Sequence, residues 1–239
     1  MREDRSPGGV HPALIIPALN EEEVIGPTLA SIPPGIFHTV IVADNGSTDR
    51  TGEIARAHGA MVVREPERGY GSACLAAIAE LPGEVNAVAF MQADGSEDPR
   101  EWPRVLEPLA KGTADLVIGS RVLGEVAPGA LEPHQRFGNW LATFLVRLLY
   151  HHRYTDLGPF RAIRRDALEG LGMRDRNYGW TIEMQVRALR HKLRVVEVPV
   201  SYGNRRAGLG KVSASLKASL RAGAKIIWTV FRLSVPDGG

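Results

Sequence analysis

The chain has one cysteine in 239 residues, Cys74, which excludes an intramolecular disulfide and fits a reducing compartment. Cys74 follows a glycine-rich turn and has no neighbour that would stabilise a thiolate, so it reads as a packing residue. No apolar run reaches the ~18 residues that a membrane-crossing helix needs. The stretch Met1–Gly9 is charged and holds no apolar segment, so it does not read as a signal peptide. Aromatic residues make up only 6% of the chain and the basic residues form no nucleic-acid motif, so nucleic acid is not an expected partner. Two phosphate-binding signatures are also missing. Neither a Gly-x-Gly-x-x-Gly turn nor a P-loop follows the first apolar strand, which argues against NAD, FAD and P-loop chemistry.

What is present is unevenly distributed. The net charge of +2 conceals a split: residues 1–133 carry 10 basic and 20 acidic side chains, residues 134–239 carry 19 basic and 7 acidic. The second half is suited to something anionic. The first ~120 residues alternate short apolar strands with helix-like segments, a rhythm that predicts an α/β fold with a parallel sheet covered on both faces. Expected strands are Ala13–Ile16, Val40–Ala43, Ala60–Arg64, Ala87–Met91 and Leu116–Gly119, with helices over Glu22–Ser31, Thr51–His58, Ser72–Glu80 and Pro103–Lys111. Beyond them come a long apolar-rich segment, Arg136–His151, a turn over Thr155–Arg161, a helix over Thr181–His191, a strand over Val195–Val200 and a basic amphipathic helix over Ser213–Leu233. His151 and His152 lack metal-ligand spacing and read as an exposed helix end.

Two of the strands end in acidic loops. Thr39–Ala43 runs into Asp44-Asn45-Gly46-Ser47-Thr48-Asp49, and Ala87–Met91 runs into Gln92-Ala93-Asp94-Gly95-Ser96. A buried parallel strand presents such a carboxylate at the rim of the sheet, where α/β proteins bind ligands. Two rims about fifty residues apart suit one ligand held at two places, a base or ribose at one and a metal-bound diphosphate at the other.

The order of the motifs carries more than any single one. Pro17-Ala18-Leu19-Asn20-Glu21 precedes the Asp44 loop, then Arg68-Gly69-Tyr70-Gly71-Ser72, then Gln92-Ala93-Asp94-Gly95, then Gly119-Ser120-Arg121. This series resembles the family 2 glycosyltransferases of GT-A fold. Asp156-Leu157-Gly158-Pro159-Phe160-Arg161, Trp180-Thr181-Ile182-Glu183-Met184 and Arg206-Ala207-Gly208-Leu209-Gly210-Lys211 are similar to the dolichyl- or polyprenyl-phosphate mannose or glucose synthase branch. The resemblance covers about residues 12 to 215.

The resemblance implies a Rossmann-like, mostly parallel central sheet flanked by helices. Residues 1–11 would be a flexible N-terminus, 12–212 the catalytic domain, and 213–239 an amphipathic C-terminal helix and tail. Asp44 would accept a hydrogen bond from the nucleotide base, with Pro17, Ala18, Asn20 and Glu21 shaping the base and ribose pocket. Gly69 and Gly71 would let backbone approach the nucleotide closely. Asp94 would hold Mg²⁺ or Mn²⁺ against the donor diphosphate, beside Ala93. The family usually has Asp-x-Asp here, and Gln92 replaces the first carboxylate with a weaker amide oxygen. The metal would then bind more weakly, lean on the diphosphate, or be replaced in part by cationic residues. Arg206 and Lys211 would stabilise the leaving diphosphate, with Arg205 an equally plausible neighbour; Gly210 stands where the family tends to have serine. Arg121 and Arg136 would hold an acceptor phosphate.

These residues imply an inverting transferase that moves a sugar from a UDP-glucose- or GDP-mannose-type donor to a polyprenyl phosphate. A lipid phosphate is already anionic and needs no base. If the acceptor were a hydroxyl, Glu183 or Asp156 would be the general base. A non-catalytic nucleotide-sugar or lipid-binding protein, with Gln92 as a lost ligand, is the rival from another class. The C-terminal helix places Leu216, Leu220, Ile227 and Phe231 on one side and Lys217, Arg221 and Lys225 at successive i+4 positions. Such a helix reads as an interfacial membrane binder, and Trp140, Phe144, Leu145, Leu148 and Leu149 add a second apolar stripe. The expected location is cytoplasmic, with at most peripheral attachment to the inner face of the cell membrane.

Overall fold

The computed structural model describes residues 9–205 and 216–234, with side chains of the latter segment described from Gly223 onward. Among the described residues, seven strands form one sheet: β1 (Pro12–Ala18), β2 (Thr39–Asp44), β3 (Met61–Arg64), β4 (Ala87–Phe90), β5 (Leu116–Ser120), β6 (Arg161–Arg164) and β7 (Val195–Pro199). Their spatial order is β3-β2-β1-β4-β6-β5-β7. Every pairing is parallel except the two made by β6, with β4 and with β5. The α-helices that cover the faces are α1 (Ile25–Ala30), α2 (Thr51–Ala57), α3 (Tyr70–Ala79), α4 (Trp102–Ala110), α5 (Pro133–Tyr150), α6 (Arg165–Leu171), α7 (Trp180–Arg190) and α8 (Leu216–Ser234).

The strands read as continuous apolar runs because both of their faces are buried. Alternate residues of each strand enter different cores. Ala13, Ile15, Ile41, Val88, Phe90 and Ile118 pack with residues of α3, α5, α7 and α8. Leu14, Ile16, Val42, Ala89 and Val117 pack on the other face with residues of α1 and α4. Cys74 is wholly buried in the first core and burial pushes its thiol up, in keeping with a packing role.

Two features differ from the sequence reading. It assigned no element between the Thr155 turn and Thr181, where the chain enters β6 and then α6. β6 reads Arg161-Ala162-Ile163-Arg164, and its first arginine is only 1% exposed. Arg161 compensates its burial by donating to the carbonyls of Leu157, Gly158 and Thr181. The first helix starts at Ile25 rather than Glu22, because Asn20 adopts a left-handed φ of 50° and the following residues form a turn. α8 turns Thr229, Val230 and Leu233 inward and leaves Phe231, of the expected apolar side, 47% exposed. The expected stripe residues Leu216 and Leu220 and the cations Lys217 and Arg221 lie outside the described side chains.

The topology fixes where a ligand can sit. The chain runs outward through β1, β2 and β3, then returns to place β4 on the other side of β1. The carboxyl ends of β1, β2 and β4 therefore meet at the switch point of an open α/β sheet, the usual binding crevice.

Candidate active site

Ala18 and Asp44 are register partners at the ends of β1 and β2, which brings the first two motifs side by side. The loops beyond them are laced together. Asn20 accepts from the Thr48 N–H at 2.8 Å and its own N–H donates to Ser47 Oγ at 2.9 Å. Glu21 N–H donates to Thr51 Oγ1, and Asp44 Oδ1 accepts from Ser47 N–H at 2.9 Å. Asn45 ties this rim to the third motif: its amide donates to the Glu65 and Glu67 carbonyls and its Oδ1 accepts from Gly69 N–H. Side chain–backbone bonds of this kind fix an irregular loop without regular secondary structure.

Gly69 and Gly71 are required by a neighbour rather than by open space for a ligand. A Cβ on Gly69 would lie 2.0 Å from the Arg176 carbonyl oxygen, and one on Gly71 would lie 1.9 Å from that of Asp175. Ser72 N–H donates to the Arg176 carbonyl at 3.0 Å, so the 175–176 backbone caps the start of α3. Gly69 still lines the cavity described below.

The Gln92–Asp94 turn leaves β4 beside β1. Asp94 Oδ1 is committed to Ser96, accepting from its N–H at 3.0 Å and its hydroxyl at 2.5 Å. Asp94 Oδ2 is buried and accepts no hydrogen bond of proper angle, but the Arg205 Nη2 stands 2.9 Å away as an ionic contact. Gln92 Oε1 has only long contacts, 3.4 Å each, to the hydroxyls of Ser96 and Tyr202. Beneath the turn, Glu97 accepts from Gln92 N–H at 2.7 Å. Burial, with the Asp94 charge adding to it, pushes the Glu97 carboxyl up to about 8 despite that hydrogen bond. Gly203 N–H donates to the Ser96 carbonyl, and Tyr202 is bridged to both Glu97 and Val126, which delivers Arg205 to Asp94.

A cavity of about 690 Å³ runs along this rim. Its lining includes Pro17, Ala18, Glu21, Gly69, Gln92, Ala93, Asp94, Arg121 and Arg205. It also takes in the apolar Leu131, Leu157, Pro159 and Ile226 and the polar His134, Gln135, Asn139 and Asn177. Of the expected nucleotide residues, Asn20, Asp44 and Gly71 stand behind the lining as supports.

The remaining expected residues are placed differently. Arg121 lines the cavity but forms a two-pronged pair with Asp156, through Nε to Oδ2 at 2.8 Å and Nη2 to Oδ1 at 2.7 Å. Asp156 is fully buried in that pair and also accepts from Arg121 N–H. Glu183 is fully buried as well: its Oε2 accepts from the N–H groups of Arg174 and Asp175, and its Oε1 from Arg187. Neither carboxylate offers the cavity a free oxygen, so the general-base role finds no support in the geometry. Arg136 points its Nε at the Leu131 carbonyl on the exposed side of α5 and is not brought to the cavity. Arg206 and Lys211 lie outside the described residues. His151 is exposed and closes α5 in a left-handed conformation, as a helix end should.

Arg205, offered by the sequence as an equally plausible neighbour of Arg206, is brought to Asp94. Sequence reasoning passed over Tyr202 and Asn139, whose roles depend on distant carbonyls and side chains.

Known proteins are similar to this chain in sequence and fold. The family model described as glycosyl transferase family 2 matches residues 13–172. An uncharacterized glycosyltransferase of Mycobacterium tuberculosis is 42% identical over 211 residues, 87% of this chain and 93% of the relative. An undecaprenyl-phosphate mannosyltransferase of Micrococcus luteus is 31% identical, over 84% of this chain and 87% of its own. Among solved structures, glucosyl-3-phosphoglycerate synthase from Mycobacterium tuberculosis, in complex with Mn²⁺, UDP and phosphoglyceric acid, superposes with a TM-score of 0.77 at 25% identity, covering 97% of this chain and 81% of that one.

Proposed function

The chain belongs to glycosyl transferase family 2, and from that premise we propose that it transfers a sugar from a nucleotide-sugar donor to a polyprenyl phosphate at a membrane surface. The observation that carries the acceptor half is the mixed lining of the cavity. The same cavity holds Asp94 and Arg121 and the apolar Leu131, Leu157, Pro159 and Ile226, the last from α8. Apolar lining beside charged groups suits an acceptor that carries an isoprenoid chain on its phosphate. The likeness to the Micrococcus mannosyltransferase supports the same reading.

In this reading Pro17, Ala18 and Glu21 bound the base and ribose, with Asp44, Asn20 and Asn45 holding their loops. Asp94 Oδ2, buried and without a hydrogen bond, and the Gln92 amide oxygen fit a divalent cation that also takes oxygens from the diphosphate. Mg²⁺ or Mn²⁺, when bound, neutralises charge on the departing diphosphate. The protein's own share is to hold Asp94 through Ser96 and to aim Arg121 through Asp156. Arg206 and Lys211 keep their proposed part at the leaving group. The acceptor phosphate is itself the nucleophile and attacks the anomeric carbon opposite the leaving diphosphate, so no base is needed and configuration inverts.

The outer surface supports a lipid setting. Phe137, Trp140, Phe144 and Leu148 form an exposed stripe along α5, and Trp228 and Phe231 are exposed on α8. The two helices adjoin, with Tyr150 Oη donating to the Val230 carbonyl. Arg232 stands 4.9 Å from the Trp228 ring, and Lys225, 4.7 Å from it, is paired on its inner side with the buried Asp175 at 3.0 Å. Aromatic rings bordered by cations suit the headgroup region of an anionic bilayer. Among the described residues no helix is long and apolar enough to cross a membrane.

A specific observation gives one competing acceptor: the superposed synthase holds phosphoglyceric acid. The deciding experiment incubates the protein with UDP- and GDP-sugars, Mn²⁺ or Mg²⁺, and either undecaprenyl phosphate or phosphoglyceric acid, with mass spectrometry of products. Glycolipid from one donor is expected; product only with phosphoglyceric acid overturns the lipid reading. Separately, the double substitution Trp140→Ala, Phe144→Ala should weaken binding to vesicles containing anionic lipid about tenfold or more, since each buried ring contributes about 1.5–3 kcal/mol. Unchanged cosedimentation would remove α5 from the membrane contact.

A further inference from the structure

The pairing of Asp94 with Arg205 presents a conflict that the donor must resolve. Asp94 has two carboxylate oxygens. One is fixed by both donors of Ser96, so Oδ2 alone is open to a cation. Arg205 Nη2 already stands 2.9 Å from that oxygen. A divalent ion binds a carboxylate oxygen at about 2.0–2.6 Å. An ion that took this atom with the guanidinium still facing it would set two cations against one anionic oxygen, which disfavours binding of the free metal. The second oxygen in the turn, from Gln92, is neutral and adds no charge to offset that repulsion.

The exchange is physically accessible. Arg205 is 35% exposed while Asp94 is 4% exposed, so the arginine can swing outward and the aspartate cannot follow. The ionic contact lacks hydrogen-bond angle, so its loss forfeits little directional bonding. Leaving Asp94 bare would be costly, however, because an isolated buried carboxylate is strongly disfavoured. Departure of Arg205 therefore requires arrival of another cation. The guanidinium that leaves is planar, permanently charged and matched to phosphate oxygens.

We propose that Arg205 is the resident counter-ion of Asp94, exchanged for the donor's divalent cation and passed to the donor's phosphates, so that metal and nucleoside diphosphate enter as a coupled pair. This rests on the reading of Asp94 as the metal-bearing carboxylate. It gives Gln92 a consequence: with a single anionic ligand at the site, one arginine is enough to neutralise it and keep free metal out.

The test measures Mn²⁺ binding to the full chain by the electron paramagnetic resonance signal of unbound Mn²⁺, alone and with saturating UDP or GDP. In the wild type the nucleotide should tighten Mn²⁺ within the roughly 5–150-fold range of ordinary site coupling. Arg205→Gln should tighten Mn²⁺ binding without nucleotide and shrink that coupling toward unity, and should weaken nucleotide binding in the presence of Mn²⁺. Arg205→Lys, which keeps a charge but loses the planar fork, should restore exclusion of free Mn²⁺ without restoring full nucleotide affinity. Unchanged Mn²⁺ affinity in Arg205→Gln, or equal Mn²⁺ affinity with and without nucleotide in the wild type, overturns the proposal. Asp94→Asn separates this from failure of the premise. If it binds Mn²⁺ as the wild type does, the assignment of Asp94 to the metal falls and the exchange falls with it. If Asp94→Asn loses Mn²⁺ while Arg205→Gln behaves as the wild type, only the exchange falls.

Discussion

Asp94→Asn should leave the protein folded and reduce sugar transfer by roughly 10²–10³-fold, the cost of removing one preorganised group that stabilises charge in a transition state. The substitution is nearly isosteric. The amide oxygen that takes the place of Oδ1 can still accept from the N–H and hydroxyl of Ser96, which preserves the turn. What disappears is the negative charge on the buried Oδ2, the one charged oxygen in the turn open to a cation. Gln92 cannot substitute, because its oxygen is neutral. Initial rates with the donor and acceptor that give product, together with thermal melting, check the result. A variant that melts normally and turns over within about threefold of the wild type would show that Asp94 has no part in charge stabilisation.

Glu183→Gln should act on stability instead. Glu183 is wholly buried, its three acceptor contacts are all internal, and Arg187 beside it has only 12% of its side chain exposed. Removing one partner of a buried ion pair leaves the other uncompensated and costs about 3–5 kcal/mol. For a domain of this size the melting temperature should fall on the order of 10 °C. The loss should spread in a definite direction. Glu183 holds the backbone of Arg174 and Asp175, the carbonyls of Asp175 and Arg176 rest on Gly71 and Gly69, and Gly69 is bonded to Asn45 at the nucleotide rim. Nucleotide affinity should therefore weaken along with the melting temperature, while turnover at saturating donor survives in the folded fraction. A catalytic base would behave oppositely, with melting unchanged and turnover abolished.

The two carboxylates offered as bases show why site chemistry was only partly legible. Asp156 and Glu183 were recognisable in the chain by motif, but a motif does not reveal whether a carboxylate faces a cavity or an arginine. Asp156 faces Arg121 across 35 residues, and Glu183 faces two backbone amides and Arg187. The glycines show the same limit. Their positions were evident, but the backbone that needs them lies more than a hundred residues later.

By itself the sequence determined the alternating α/β plan, the carboxylates at the ends of β2 and β4, and the family. Those features depend on local periods and on residues adjacent in the chain. An apolar run buried on both faces is a strand wherever it occurs, and a carboxylate after it reaches the sheet rim without help from elsewhere. Only the tertiary structure decided the antiparallel β6, hidden behind an arginine whose charge is met by the carbonyls of the preceding turn and, 20 residues on, of Thr181. It alone decided which face of α8 turns inward, since α5 and α7 pack against it and bury Val230 and Leu233 while Trp228 and Phe231 stay exposed. It also decided that Arg205 meets Asp94, because the pairing requires residues 111 positions apart to be brought together by the strand bridge at Tyr202. Contacts of that kind are set by packing, and packing is a property of the whole chain.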